Sequence, residues 1–400
     1  MADECFDLPD DALVQVLLLL PTSSRRRFRL VCKRWRDLVD ERTPERQART
    51  KILAYFAERM AGRALVFDDG DGSRRHAWRF PSYDYRRYDM IGTCNGLLCL
   101  HGRSASSSAI NAGRSSVIVV TNPITGEAQL LPPVPAAERQ WEKFGRYSFG
   151  YHPTTGEYKV VYIPCQRRQA VDVVWVFTLG GGTGWRAVPV LVPGASYCHC
   201  GEVVSVDGVT YWLNAAFDRV MALDLRDERV TWLDLPPPSV RVGLTPEEGG
   251  WRLTSVHARL GVAATTSSAG VEVWVLEGRP RRWARGRTLT EPRGHQGCWI
   301  TAPHLTYGEY AMSRSWGRTR LYRHKVGSLI GDDGRLLELP EGAAELVMDD
   351  GTPYYGNLKT FAYVETLEPL PAIDGAAGGD GGSDDQMINH LQQMAAGRRT

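Results

Sequence analysis

Apolar positions change period along the chain. Leu13, Val16, Leu17 and Leu20 recur at helical spacing behind Pro9, Asp10 and Asp11. Proline suits a first helical turn because its missing N–H would be unsatisfied there, and the two carboxylates suit the positive end of the helix dipole. Pro21 closes this helix and Thr22, Ser23 and Ser24 offer a cap for a second one, with Phe28, Val31, Trp35 and Leu38 as its apolar stripe. Pro44 and Glu45 predict a third helix start, with Ile52, Leu53, Tyr55, Phe56 and Met60 on its buried side, so residues 44–64 read as a helical linker. From about Leu65 the pattern becomes short apolar runs bounded by Gly, Pro, Asp and Asn, the signature of an all-β domain. Residues 372–400 form a tail, Gly- and Asp-rich from Gly375 to Asp385 and predicted disordered; Met387, Ile388, Leu391 and Met394 allow a turn or two of amphipathic helix beyond it.

Within the β region the pattern repeats. A glycine followed by a short strand occurs at Asn95-Gly96-Leu97-Leu98-Cys99-Leu100, Asp207-Gly208-Val209-Thr210-Tyr211-Trp212-Leu213, Leu260-Gly261-Val262-Ala263 and Asp333-Gly334-Arg335-Leu336-Leu337. A strand, a turn and a Trp-bearing strand recur at Val173–Trp185, Val220–Trp232 and Val271–Trp283, with the tryptophans 47 and 51 positions apart. That interval is close to the ~50 residues of a kelch-type propeller blade. Asn122–Glu127 and His152–Glu157 echo each other as turns in which glycine supplies a positive φ. About six blades fit between Leu65 and Pro371, with Trp175, Trp185, Trp212, Trp232, Trp274 and Trp283 as fillers between them. A pair of β-sandwiches is the alternative for short strands at this spacing.

The helical unit is small. A piece of roughly forty residues is near the lower limit for independent stability, so apolar residues such as Leu8, Leu17 and Leu20 are expected to await a partner surface or the rest of the chain; periodicity alone does not say which. Taken in order, Leu8-Pro9-Asp10-Asp11, the run to Leu20-Pro21, and Arg27-Phe28-Arg29-Leu30-Val31-Cys32-Lys33-Arg34-Trp35-Arg36-Asp37-Leu38-Val39 resemble an F-box, over residues 4–43. The resemblance implies docking of a Skp-type adaptor, and through it a cullin, by Leu8, Pro9, Val16, Leu17, Leu20, Pro21, Val31, Cys32 and Trp35. One position departs from the pattern: Arg25 stands where the family carries an apolar anchor, although its aliphatic stem can still lie on an apolar surface.

The β region, residues 65–371, has its own likeness. Cys94-Asn95-Gly96-Leu97-Leu98-Cys99, Thr121-Asn122-Pro123 with Thr125-Gly126-Glu127, Phe149-Gly150-Tyr151-His152-Pro153-Thr154-Thr155-Gly156-Glu157-Tyr158-Lys159-Val160-Val161, and Val206-Asp207-Gly208 with Tyr211-Trp212-Leu213 resemble the F-box-associated domains of plant F-box proteins. This resemblance implies a kelch-like propeller that recruits the protein to be ubiquitylated. The matching motifs are turns and strands, so they describe a scaffold rather than its ligand.

Charge and composition narrow the partners. With 48 basic against 46 acidic residues the net charge is +2, which gives no global case for nucleic acid or membrane. Seven cations between Arg25 and Arg36 read as solvated helix faces before they read as a nucleic-acid patch. The acidic start Met1-Ala2-Asp3-Glu4 is unlike a secretory signal, the Val16–Leu20 run is too short to span a bilayer, and eight scattered cysteines suggest a reducing compartment. An intracellular setting, cytoplasm or nucleus, is therefore expected.

Catalytic signatures are missing from the sequence: no GxxxxGK[ST], G-x-S-x-G or H-E-x-x-H is present. Gly180–Gly184 lies between strand-like runs and reads as a hairpin loop. Cys198-His199-Cys200, with His295 and Cys298 at a distance, lack the paired C-x-x-C knuckles of a zinc site, so no metal or cofactor is expected. For a client surface, Tyr83, Tyr85, Arg86, Arg87 and Tyr88 combine the residue types enriched at interface hot spots. The expectation is a non-catalytic substrate receptor of a ubiquitin ligase, set against a stand-alone propeller that binds or processes a carbohydrate or other small ligand.

Overall fold

A computed structural model describes residues 8–19, 28, 31–39, 51–57, 61–67, 74–81, 86–104, 116–135, 145–164, 171–182, 184–192, 203–214, 216–236, 251–256, 258–265, 270–278, 281–290, 298–300, 306–307, 310–315, 321–325, 335–337, 346–347, 353–354, 358–367, 369–371, 386, 388–390 and 392–393. Helix α1 (Asp10–Leu19) starts on the Pro9 carbonyl, which accepts from the Ala12 and Leu13 amides at 3.0 and 3.1 Å. Helix α2 spans Lys33–Asp37. Leu13, Val14, Leu17, Leu38 and Val39 form the core of this unit, and Phe28 and Trp35, stacked at 4.9 Å, pack on it.

The β region is a ring of antiparallel meanders. Strands β1 (Lys51–Ala57), β2 (Ala61–Phe67) and β3 (Arg74–Pro81) make the first blade; β4 (Arg86–Cys94), β5 (Leu97–Ser104), β6 (Ser116–Thr121) and β7 (Ala128–Leu131) the second. The third contains β8 (Arg146–His152), β9 (Glu157–Ile163), β10 (Val173–Thr178) and β11 (Arg186–Pro189), and the fourth β12 (Val204–Val206), β13 (Val209–Leu213), β14 (Arg219–Asp224) and β15 (Arg229–Asp234). The fifth contains β16 (Trp251–Val256), β17 (Arg259–Thr265), β18 (Gly270–Glu277) and β19 (Arg282–Thr290). A sixth sheet has five strands, β20 (Cys298–Ile300), β21 (Thr306–Tyr307), β22 (Tyr310–Ser315), β23 (Leu321–Lys325) and β24 (Arg335–Leu337). A two-stranded ladder follows, β25 (Leu346–Val347) with β26 (Pro353–Tyr354). Finally β27 (Lys359–Tyr363) pairs with β1, Lys51 opposite Tyr363, and makes the first blade four-stranded from both ends of the ring. Among the described residues there are thus five four-stranded blades and a further five-stranded sheet, where the repeats predict about six blades.

Among the described residues, each interface from the first blade to the fifth is a separate apolar layer. Leu53, Tyr55, Trp78 and Phe80 of the first blade meet Tyr88, Met90, Leu98 and Leu100 of the second. Cys99 and Val120 of the second meet Phe149, Val160 and Trp185 of the third, and Val161, Val174 and Val176 of the third meet Trp212, Met221 and Leu223 of the fourth. Leu213 and Val220 of the fourth meet Leu253, Val262 and Trp274 of the fifth. One blade has two apolar faces and can bury both only between neighbours, which favours a ring over a pair of sandwiches.

Three sequence expectations are corrected here. The stretch expected as a helical linker contains β1 and β2, and the ring begins at Lys51 instead of Leu65. Ile52, Leu53, Ala54, Tyr55 and Phe56 are all buried, so the run is apolar on both faces of a central strand and carries no helical stripe. Trp232 does not fill an interface: it lies on the outermost strand of its blade, 41% exposed, beneath the Arg219 guanidinium at 4.3 Å. Val31 is no part of a buried helical stripe, because it stands in a turn before α2 at 59% exposure. The Gly375–Asp385 stretch lies outside the described residues.

Candidate functional site

Two surfaces stand out, one on the helical unit and one on the ring. On the helical unit, Leu8, Val16 and Val31 are 43%, 46% and 59% exposed, and these are three of the six exposed large apolar side chains among the described residues. Pro9 is exposed too, while Cys32 and Trp35 are half-buried. Leu17 corrects the expectation: it is fully buried in the unit's own core, because α1 is apolar on most sides and turns Leu13, Val14 and Leu17 inward. Leu20 and Pro21 lie outside the described residues.

The exposed apolar end of α1 is held from α2. Arg34 donates through Nε to Asp10 Oδ1 at 2.9 Å, its Nη2 lies 2.7 Å from the same oxygen, and Nη2 donates to the Leu8 carbonyl at 2.6 Å. Sequence reasoning placed Arg34 among solvated cations, and no periodicity links it to a residue 24 positions earlier.

The ring has two unlike rims. Because its strands alternate in direction, the first-to-second and third-to-fourth turns of every blade lie at one rim, and the other connections lie opposite. The first rim has tight turns: Asn95-Gly96, Asn122–Glu127, Pro153–Gly156, Asp207-Gly208 and Leu225–Glu228. The opposite, long-connection rim takes the long connections between strands, 105–115, 132–145, 164–172, 190–203 and 235–250, together with short ones at 58–60, 82–85, 214–218 and 266–269. Lys51 opens the second strand of its blade and Tyr363 ends the first, so the chain joins and leaves the ring at the tight-turn rim.

The polar groups of the tight-turn rim are occupied with each other. Lys159, 4% exposed, donates to Glu228 at 2.9 Å and to the Leu225 carbonyl at 2.5 Å, while Arg186 forks onto the same Glu228 carboxylate. Burial pushes the Glu228 carboxyl up, but the hydrogen bonds and charges of Arg186 and Lys159 outweigh it and hold the group below the usual carboxylate value. Burial lowers the His152 imidazole from its ordinary value against the opposing pull of Asp224, and His152 Nδ1 accepts from the Thr155 amide at 3.1 Å. Ser148, Ser205 and Thr210 form a hydroxyl chain between blades at 2.7 Å per step. The contacts of Lys159 and Arg186 with Glu228 and the bond between Ser148 and Ser205 join the third and fourth blades, whereas the bond between His152 and Thr155 closes a turn within the third.

The expected client cluster divides. Arg86 and Arg87 open β4, opposite Ser104 and Arg103, and so stand at the long-connection rim. Tyr83 and Tyr85 lie outside the described residues. Tyr88 is corrected: it is 1% exposed, packed between the first two blades, with its carbonyl accepting from Tyr55 Oη at 2.6 Å. Cys198, His199, Cys200 and His295 also lie outside the described residues, among which no group of three or more metal-ligating side chains occurs. No helix among the described residues is long and apolar enough to cross a membrane.

Comparison with known proteins gives two family matches: an F-box domain over residues 5–46 and an F-box associated beta propeller domain over residues 69–300. The F-box/LRR-repeat protein At2g43260 of Arabidopsis thaliana is 27% identical over 307 residues, 71% of this chain and 67% of that protein. The F-box protein At2g43440 of the same plant is 24% identical over 381 residues, 90% of this chain and 84% of that protein. Among solved structures, one chain of a nidogen/laminin complex superposes with a TM-score of 0.47 at 13% identity, covering 79% of this chain and 99% of that one.

Proposed function

The chain belongs to the F-box associated β-propeller family, with an F-box ahead of the ring, and from that premise we propose that it is the substrate-recognition subunit of a Skp/cullin/F-box ubiquitin ligase. The observation that carries this reading is the exposure of Leu8, Val16 and Val31 on a unit whose own core is already formed by Leu13, Val14, Leu17, Leu38 and Val39. A small helical unit that leaves large apolar side chains in water is built to cover them with a partner. The Skp-type adaptor takes that surface, and a cullin follows through it.

The client binds the long-connection rim, including the Arg86-Arg87 end of β4. Loops on a rigid scaffold are where recognition residues concentrate, and this rim lies opposite the one at which Lys51 enters the ring. No catalytic residue of this chain is required. Holding a client beside a ubiquitin-charged enzyme raises its effective concentration, and that proximity is the contribution of the receptor. The setting is intracellular.

The direct test is binding of a purified Skp-type adaptor to the full chain at physiological salt, compared with Val16→Asp. Micromolar or tighter binding that is lost in the variant supports the docking role. Failure of the unaltered chain to bind removes it and favours a stand-alone propeller.

A further inference from the structure

We infer that Arg34 is a positioning residue for partner docking: it fixes the exposed Leu8 end of α1 from α2, so that this apolar corner is ordered before the partner arrives. The inference rests on the docking reading above and deepens it.

Three contacts define the arrangement. The guanidinium lies against the Asp10 carboxylate through both Nε and Nη2, and the same Nη2 donates to the Leu8 carbonyl. Leu8 lies ahead of α1, whose first backbone bonds, from the Ala12 and Leu13 amides, are accepted by the Pro9 carbonyl. The Arg34 contact supplies the tie to the backbone that presents the Leu8 side chain.

The geometry separates positioning from stability. Arg34 and Asp10 are 38% and 48% exposed, and ion pairs that open to water contribute little to folding. Planar, forked donation nevertheless fixes direction well, and ordering a flexible apolar group in advance removes an entropic cost from association. Arg34 therefore affects affinity more than folding. Its charge is already met by Asp10, which argues for action through Leu8 instead of through a partner carboxylate.

Three full-length variants decide the matter: Arg34→Ala, Leu8→Ala, and the two changes together. Hydrogen exchange over residues 8–13 and adaptor affinity are measured for each. Arg34→Ala is expected to speed exchange over that segment and weaken the adaptor by about three- to tenfold, the range set by ordering one side chain. Helix content and melting temperature stay close to those of the unaltered chain. In the double variant the Arg34 change is expected to add little to the loss caused by Leu8→Ala, because with the Leu8 side chain gone Arg34 has nothing left to present. Unchanged exchange, or unchanged affinity in a chain that binds the adaptor, overturns the inference alone. Losses that simply add in the double variant assign Arg34 to direct contact with the partner and also overturn it. Absence of binding by the unaltered chain overturns the docking reading and this inference together.

Discussion

Lys51, the first residue of the ring, donates its Nζ to Glu365, two residues past the last strand, at 2.5 Å. His76 Nε2 lies 2.7 Å from the same carboxylate oxygen, so one side chain gathers the chain's arrival, the outermost strand β3 of the first blade and the chain's departure. Beyond it the segment continues over the second blade: Asn122 Nδ2 donates to the Thr366 carbonyl at 3.1 Å, and the Leu370 amide donates to Glu127 Oε2 at 3.0 Å. Residues 364–367 and 369–371 therefore act as a strap that extends the closure made by β27.

Glu365→Gln should loosen that closure, by about 1–2 kcal/mol for weakened charge-assisted bonds at a half-buried site. The substitution also has a pH signature. Burial raises the Glu365 carboxyl, but Lys51 and His76 more than offset this, so it ionises below its ordinary value of 4.5. Its stabilising contribution is complete above that value and is lost as the pH falls through the lower folded value. Melting temperatures followed down from pH 7 should show a smaller acid loss in the variant than in the unaltered chain.

Glu228→Ala should cost more, about 2–3 kcal/mol, because buried Lys159 loses its carboxylate partner at 2.9 Å and is left with the more exposed Glu157 carboxylate at 3.3 Å. Lys159→Met, made together with it, removes the under-compensated buried cation and should recover part of the loss. Chemical denaturation of the two single variants and the double variant measures the coupling between the third and fourth blades.

Gly96 tolerates no side chain. Its φ is +85°, and a Cβ there would stand 2.5 Å from Thr366 Cγ2 and 2.6 Å from the Val364 carbonyl oxygen. Gly96→Ala combines backbone strain with displacement of the strap, and a loss of about 2–4 kcal/mol is expected from the two together. Limited proteolysis should cut near residues 364–371 sooner in this variant.

The sequence signals that were legible are those fixed by a local geometry. The Asn122 and His152 turns close alike, the Gly126 amide on the Asn122 carbonyl and the Gly156 amide on the His152 carbonyl, both at 2.9 Å. The 185 and 283 tryptophans of the repeat donate to the preceding blade, Trp185 to the Pro132 carbonyl at 2.8 Å and Trp283 to the Asp234 carbonyl at 2.7 Å. Trp232 belongs to the same sequence repeat but pairs with Met221 in mid-strand, where an outermost strand faces water. What could not be read is whatever depends on which neighbour covers a face. Ile52 to Phe56 are apolar at every position, so no period separates strand from helix. Tyr88 has the composition of a hot spot and the location of a core residue, and only the packing of the first blade against it distinguishes the two.

The two neighbours Val16 and Leu17 carry the last prediction. The segment Asp10–Leu19 is apolar on nearly every side after its two carboxylates, so spacing does not tell which side faces the unit's own core. The structure separates them, with Val16 46% exposed and Leu17 fully buried. Val16→Asp places a charge on the surface and should leave helix content and melting unchanged while abolishing adaptor binding, since a charge buried in an apolar contact without a partner is costly. Leu17→Asp places the same charge among Leu13, Val14, Leu38 and Val39 and should unfold the helical unit. Circular dichroism and adaptor titration of both variants check this: loss of helix in the first, or a folded helical unit in the second, would reverse the assignment of outer and inner face.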